Sequence, residues 1–98
     1  MNYTLENNIS ENRFEFNLGD GSFAFITYKM SAGSYLLLHT EVPEAHGGKG
    51  IAVELAEQTF GFLRDENQKA KIYCAFLLKY LGKHPEWNNI VYHSPEGE

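Results

Sequence analysis

The chain has 98 residues, of which 43% are hydrophobic and 14% aromatic, so a disordered chain is excluded and one domain spanning residues 1–98 is predicted. The net charge of −5 argues against nucleic-acid binding, which needs a basic surface, and no apolar run reaches the roughly 18 residues that a membrane span requires. A single cysteine, Cys74, excludes an internal disulfide and, with an N-terminus unlike a signal peptide, predicts a cytoplasmic protein.

Three strands are predicted in the first half of the chain. Residues 13–18 and 23–30 alternate polar with apolar side chains, which is the pattern of a strand with one buried face. A third, mostly apolar segment covers residues 35–42. Turn-forming residues at 19–22 and 31–34 separate these segments, so we expect the three strands to form an antiparallel meander.

The spacing of apolar residues changes after Pro43, which ends the third strand. A helical period runs from Gly50 to about residues 65–67, and a brief strand at 71–74 and a second helix at 75–83 come after it. The expected order is therefore β-β-β-α-β-α, an α/β (α+β) fold. The third strand, the long helix and the fourth strand should form a right-handed crossover, which makes those two strands parallel.

The segment between the third strand and the long helix carries three glycines in four positions, Gly47, Gly48 and Gly50. Glycine lets a ligand approach the backbone, and the first N–H groups of a helix lack internal partners and lie at the positive end of its dipole. These features predict a socket for a phosphate or diphosphate at residues 46–52, although the same glycines also fit an ordinary tight turn. The pattern is neither a Walker loop nor a GxGxxG dinucleotide fingerprint.

Residues 47–52 also resemble the acetyl-CoA signature of the GCN5-related N-acetyltransferases, Gln/Arg-x-x-Gly-x-Gly/Ala. H-T-E-V-P-E-A at 39–45, G-K-G-I-A at 48–52, and C-A-F-L-L-K-Y with H-P-E-W between Cys74 and Trp87 are similar to the small single-domain, NATD1-like or YjdJ-like members of that family. The resemblance covers about residues 23–87.

This resemblance implies a mixed, mostly antiparallel and strongly twisted sheet that splays at a β-bulge near residues 41–42. The pantetheine arm of acetyl-CoA would lie in the splay and the diphosphate on main-chain amides. Apart from the resemblance, Lys49 is the lysine expected to meet the ribose 3′-phosphate, because it lies inside the turn. The residues expected to bind acetyl-CoA are Val42, Gly47, Gly48, Lys49, Gly50, Ile51 and Ala52. Gly47 replaces the Gln or Arg of the signature, which predicts weaker binding. The chain is also shorter than full-length acetyltransferases, which leaves the acceptor open.

Acetyl transfer to an amine needs a base for the amine proton and an acid for the departing thiolate. Cys74 is expected at the end of the fourth strand, where it would accept the acetyl group, act as the acid, or only pack as a buried thiol. His39 and Glu41 share one side of a strand and form either a base with its orienting partner or a strand histidine beside a solvated glutamate. Tyr80 is a candidate acid or a core aromatic. The spacing of histidines and cysteine does not indicate a metal site.

The expected function is therefore an acetyl-CoA-dependent N-acetyltransferase that acts on a small amine or a protein lysine. The alternative is a non-catalytic module that binds acetyl-CoA or CoA and whose acceptor site needs a partner. A phosphate-binding fold for a different nucleotide ranks third. The sequence is compatible with a monomer or, through an exposed strand edge, with a weak dimer.

Overall fold

The computed structural model describes residues 3–92, in which five β-strands, two α-helices and two short 3-10 helices succeed one another. The strands are β1 (Glu6–Asn8), β2 (Arg13–Asn17), β3 (Phe23–Ser31), β4 (Ser34–Glu41) and β5 (Ala70–Ile72). The α-helices are α1 (Ile51–Asp65) and α2 (Ala75–Lys83), and the 3-10 helices cover Glu44–His46 and Pro85–Trp87. Neither α-helix in this part of the chain combines the length and the apolar character needed to cross a bilayer.

All five strands join one sheet in the order β1-β2-β3-β4-β5. The first four are antiparallel neighbours, and β5 lies parallel to β4, with Leu37 opposite Ile72. This confirms the α/β class, the antiparallel meander and the parallel pair joined through α1. The predicted order β-β-β-α-β-α is wrong in one element, because it lacks β1. The residues of β1, Glu-Asn-Asn, carry no apolar alternation from which a strand can be recognised.

The strand predicted at residues 71–74 begins and ends earlier, since β5 covers Ala70–Ile72. Tyr73 still donates its N–H to the Leu37 carbonyl at 2.8 Å, but Cys74 is the residue that precedes α2 and forms its N-cap. The prediction that Cys74 ends the strand is therefore wrong. A short buried strand followed directly by a helix gives one continuous apolar segment, in which periodicity does not mark the boundary.

One extra residue interrupts the ladder between β3 and β4. Thr27 lies opposite His39 and Tyr28 lies opposite Leu37, so Leu38 has no partner across the ladder. β4 therefore has one more residue than β3 between these two pairs, which defines a β-bulge. A bulge increases the local twist and bends the strand that carries it.

The bulge expected near residues 41–42 is therefore wrong, because the ladder is regular from His39 to Glu41. Three consecutive leucines precede His39, and such a run gives no alternation from which the register can be deduced. The bulge decides which side chains of β4 face the core: Thr40 lies opposite the buried Ile26, whereas the residues on either side of Thr40 point to the other face.

One hydrophobic core joins the sheet, α1 and α2. The buried face of α1 consists of Ile51, Leu55, Ala56, Thr59, Phe60 and Leu63. The Phe60 ring stacks on the rings of Tyr80 and Trp87, with centroids 6.0 Å apart in both cases. The helix predicted from Gly50 to about residues 65–67 is thus confirmed, and its packing holds its N-terminus in a fixed place at the end of β4.

Candidate functional site

The loop between β4 and α1 ends in four residues, 47–50, that we call the glycine turn. Gly48 and Gly50 have left-handed φ angles of 81° and 79°, which glycine adopts without strain. Gly50 is the N-cap of α1, and no side chain caps the helix. The first hydrogen bond of the helix runs from the Glu54 N–H to the Gly50 carbonyl at 3.1 Å. The N–H groups of residues 51–53 precede that bond and have no acceptor within the helix.

The predicted binding residues differ in what they present. Ile51 is 1% exposed, so its side chain belongs to the core and the residue as a whole is almost inaccessible, whereas Ala52 is partly exposed. Val42 is partly buried and packs against the core. Gly47 donates its N–H to the Glu44 carbonyl at 3.0 Å, so this donor is already engaged within the chain.

β4 and β5 diverge after their last hydrogen bond, and we call the opening between residues 38–41 of β4 and residues 73–74 the fork. On the β4 side the fork leads to the glycine turn. The two strands pair through Leu37 and Ile72, and the last bond between them is donated by the Tyr73 N–H. Beyond this point β4 continues to Glu41, whereas the chain on the other arm enters α2. On the side that faced β5, the edge of β4 at residues 38–41 therefore has no strand partner within residues 3–92.

Cys74 lies at this fork and contacts β4 across it. The residue is 7% exposed, and its Sγ is 3.3 Å from the Thr40 Oγ1. Either atom can donate the proton in this contact, so the thiol is both buried and hydrogen-bonded. The sequence did not indicate Thr40 as part of the site, because its position on the core side depends on the bulge.

His39 and Glu41 contact each other, as their spacing predicted. The His39 Nε2 is 2.9 Å from the Glu41 Oε1, and the two side chains are 63% and 54% exposed. They lie on the face of β4 opposite to Thr40. The structure thus brings His39 to Glu41 and Cys74 to Thr40, but it puts the two pairs on opposite faces of the sheet.

Tyr80 is buried, and its hydroxyl accepts a hydrogen bond from the Trp87 Nε1 at 3.2 Å. Burial raises the pKa of Tyr80 above its ordinary value of 10.0, and this effect exceeds the opposing effect of the Trp87 bond. The phenol is therefore protonated at neutral pH and retains a proton that it can donate.

Tyr80 also lines a groove of about 300 Å³ between the first turn of α1 and the outer face of α2. The groove residues are Val53, Phe76, Lys79, Tyr80, Lys83 and His84. Two lysines contribute positive charge to this groove, whereas His84 is paired with Glu86 at 3.2 Å, and Val53 is the lining residue that belongs to the first turn of α1.

His46, the first residue of the predicted socket, makes a contact that the sequence did not reveal. It immediately precedes the glycine turn, is 9% exposed, and places its Nε2 2.8 Å from the Asp20 Oδ2 in the turn between β2 and β3. We call residues 19–22 the hairpin turn. Its Asp20 also accepts hydrogen bonds from Ser22, and these bonds, together with the His46 contact, hold the pKa of Asp20 well below its usual range. The partners are 26 residues apart, so no local pattern connects them.

Within residues 3–92 there is no group of three or more His, Cys, Asp or Glu side chains that could hold a metal ion. The site is therefore described by main-chain amides, a thiol, a histidine–carboxylate pair and a buried phenol.

The sequence model of the family GCN5-related N-acetyl-transferase matches residues 13–90, and the chain belongs to this family. Protein NATD1 of Gallus gallus is 43% identical over 49 residues, which cover 50% of this chain and 44% of that protein. Protein NATD1 of Danio rerio is 37% identical over 59 residues, which cover 58% of this chain and 54% of that protein. The chain thus spans about half the length of the curated relatives it matches.

The fold has a close counterpart among solved structures. The NMR solution structure of a GCN5-like putative N-acetyltransferase from Staphylococcus aureus superposes with a TM-score of 0.69, covers 97% of this chain and 93% of that one, and shares 22% sequence identity. At this identity the match shows the fold alone. The family to which the chain belongs consists of acetyltransferases, which use acetyl-CoA as co-substrate.

Proposed function

We propose that the protein binds acetyl-CoA and transfers its acetyl group to an amine, on either a small molecule or a protein lysine. The family supplies the reaction class. The observation that carries the proposal is the uncapped start of α1 directly behind two left-handed glycines. N–H groups that lack acceptors at a helix N-terminus form a binding site for phosphate groups, and acetyl-CoA carries a diphosphate.

The glycine turn fits a diphosphate both sterically and electrostatically. A Cβ built on Gly48 would meet no atom within 4 Å, so the space beside the turn is open. Lys49 contributes a cation within the turn, which strengthens hydrogen bonding to an anion. Because the Gly47 N–H is engaged by Glu44, we assign the diphosphate contacts to the main chain of residues 48–52.

The fork fits the pantetheine arm. The free edge of β4 at residues 38–41 offers main-chain donors and acceptors, and the two amides of the arm can pair with such an edge in the manner of an added strand. Val42 continues this edge toward the glycine turn. The acetyl group then lies in the fork, close to Cys74 and Thr40.

A ligand in the fork lies in the plane of the sheet, and both faces of β4 therefore adjoin it. From one face, His39 oriented by Glu41 takes the proton of the attacking amine. From the other face, Cys74, which borders the fork, gives a proton to the departing CoA thiolate; the protonated phenol of Tyr80, which lines the groove between α1 and α2, is the alternative donor. The thioester C–S bond breaks as the amide C–N bond forms, and both protons are accounted for.

A non-catalytic acetyl-CoA-binding module is the second candidate. The exposure of His39 and Glu41 favours it, since a base that is 63% exposed is not enclosed by an acceptor pocket formed from residues 3–92. In that case a partner protein would complete the acceptor site.

The test combines binding with turnover. Calorimetric titration with CoA and acetyl-CoA should detect binding, and thiol release from acetyl-CoA should occur only when an amine from a panel is present. His39→Ala should lower kcat/KM by about 10²-fold with little change in CoA affinity, as expected for loss of a general base. Binding without turnover for any amine would establish the module instead. No heat with either ligand at millimolar concentration would contradict the proposal as a whole.

The role of Cys74 is tested separately by mass spectrometry under single-turnover conditions. An acetyl adduct on Cys74 that forms and decays with turnover would assign it as the acceptor of the acetyl group. Turnover without an adduct, and a Cys74→Ser variant that retains activity, would leave Tyr80 as the acid.

A further inference from the structure

We propose that His46 is a positioning residue, which ties the glycine turn to the hairpin turn and holds Lys49 in place for an anionic group of the ligand. The inference deepens the proposed function and rests on it, because it assumes that the glycine turn holds the diphosphate. It concerns a residue that contacts neither the reacting atoms nor the fork.

The geometry fixes His46 at both its main chain and its side chain. Its N–H donates to the Pro43 carbonyl at 2.9 Å, within the short 3-10 helix. Its ring is 11% exposed and its Nε2 lies 2.8 Å from the Asp20 Oδ2. Asp20 is itself held, since its Oδ1 accepts bonds from the Ser22 N–H at 3.1 Å and the Ser22 Oγ–H at 2.6 Å. The last residue before the glycines is therefore anchored to a hairpin turn whose Asp20 is itself held by two hydrogen bonds.

The second ring nitrogen of His46 faces Lys49. The Lys49 Nζ is 3.4 Å from the His46 Nδ1. A neutral imidazole with its proton on Nε2 donates to the Asp20 carboxylate and leaves Nδ1 as an acceptor for the ammonium group. One tautomer thus satisfies both contacts, whereas a proton on Nδ1 would face a cation. The contacts from Asp20 to His46 and from His46 to Lys49 hold the lysine ammonium group within the turn.

A tether at His46 affects binding because the next segment of the chain is rich in glycine. Glycines lose more conformational freedom on ordering than other residues, and three of the four residues after His46 are glycine. A loop that is already fixed before the ligand arrives avoids that entropic cost at the binding step. Loss of the tether is therefore expected to weaken the contacts of the diphosphate without changing those of the pantetheine arm.

The experiment measures the affinity for CoA and for pantetheine, which lacks the phosphates, in variants of His46. His46→Phe keeps the ring volume but loses both hydrogen bonds, and we expect CoA affinity to fall by roughly tenfold, in the range for a hydrogen bond to a charged group, while pantetheine binding changes less than about twofold. His46→Gln places its amide near the position of Nε2 and should restore most of the affinity. His46→Asn reaches only the position of Nδ1 and should not.

Asp20→Ala removes the same contact from the side of Asp20, whose side chain is 55% exposed. This variant allows CoA affinity to be measured even if His46→Phe fails to fold. We expect the same roughly tenfold loss, and no further loss when it is combined with His46→Phe. Asp65→Ala is the matched control, because Asp65 is also an exposed, hydrogen-bonded aspartate but lies at the other end of α1.

The outcomes separate this inference from the proposed function. If the wild type does not bind CoA, both fail. If the wild type binds CoA and the His46 and Asp20 variants bind it equally well, only the positioning role is overturned. Equal losses for CoA and pantetheine would also overturn it, because they would indicate general loosening of the fold.

Discussion

The hairpin turn and the glycine turn are both rich in glycine and both bend the chain through left-handed residues. They differ in whether side chains of the turn accept hydrogen bonds from its main-chain N–H groups. In the hairpin turn, the Gly19 N–H bonds to the Asn17 Oδ1 at 2.9 Å and the Ser22 N–H bonds to the Asp20 Oδ1 at 3.1 Å. At the glycine turn, the N-cap is a glycine, and no side chain supplies an acceptor to the start of α1.

The contrast between these amide groups distinguishes a structural turn from a binding turn. Asn, Asp and Ser side chains commonly accept bonds from nearby amides, and this is why they are frequent in turns and at N-caps. A helix that begins with glycine loses only a few tenths of a kcal/mol relative to a Ser, Asn or Asp N-cap, but its first N–H groups are left without a side-chain acceptor. An uncapped start of a long helix therefore suggests that a ligand supplies the acceptors.

The largest effect is expected from Gly50→Val. The substitution introduces a branched side chain at φ 79°, where the main chain must approach the ligand, and CoA affinity should fall by roughly a hundredfold, equivalent to about 2.8 kcal/mol. Gly33→Val, at φ 82° in the turn between β3 and β4 with no atom near its Cβ, is the matched control for backbone strain. Calorimetry on folded samples of both variants makes the measurement. Equal CoA affinity in the two variants would show that the two kinds of turn do not differ as we infer.

A smaller effect is expected from Lys49→Met, which removes the cation from the glycine turn but keeps most of the side-chain volume. CoA affinity should fall about five- to tenfold, which corresponds to the upper part of the range for an ordinary hydrogen bond, because the lysine side chain is exposed to solvent. If Lys49 meets the ribose 3′-phosphate, dephospho-CoA should lose much less affinity. Lys29→Met, at an exposed position of β3, controls for the change in net charge. An equal loss for both ligands would assign Lys49 to the diphosphate instead.

The smallest effect concerns the carboxylate of the hairpin turn. Ser22 and His46 hold the pKa of Asp20 below its ordinary value of 3.8, so the charged form is favoured in the folded state. Its contribution to stability is present above that value and is lost as the pH falls through the lowered pKa of the folded state. The difference in free energy of unfolding between the wild type and Asp20→Asn should therefore stay constant from pH 7 to about pH 4 and shrink as the pH falls further, as measured by urea denaturation. In the Ser22→Ala background the change should be weaker, and an unchanged pH dependence there would contradict the assignment of Ser22 as the main cause.

Much of the fold could be predicted from local patterns. The apolar spacing of α1, the alternation in β2 and β3, and the glycines at the start of α1 are all properties of consecutive residues, and each led to the correct element. The family could be inferred from the same segment because its signature lies within a single turn. These features require no knowledge of which distant residues meet.

The features that could not be predicted depend on pairing between distant segments. The bulge at Leu38 is defined by its register against β3, and the run of leucines around it conceals the alternation. The contact of Thr40 with Cys74 depends on that register, and the contact of His46 with Asp20 joins residues 26 apart. Strand β1 exists only because β2 offers it a partner.

The insertion at Leu38 has a consequence for how the fork is built. Without a bulge, a ladder continuing from the Tyr28–Leu37 pair would set His39 opposite Ile26, so the imidazole would point inward and Thr40 outward. The extra residue, Leu38, returns Thr40 to the inward side and His39 to the outward side. It also bends β4 at the point where β5 ends, so that β4 and β5 diverge. A chain that lacked Leu38 would keep the same inward and outward faces of β4, but it would lose the bulge that makes β4 and β5 diverge. The opening between these two strands therefore depends on the number of residues in β4 as well as on their chemistry.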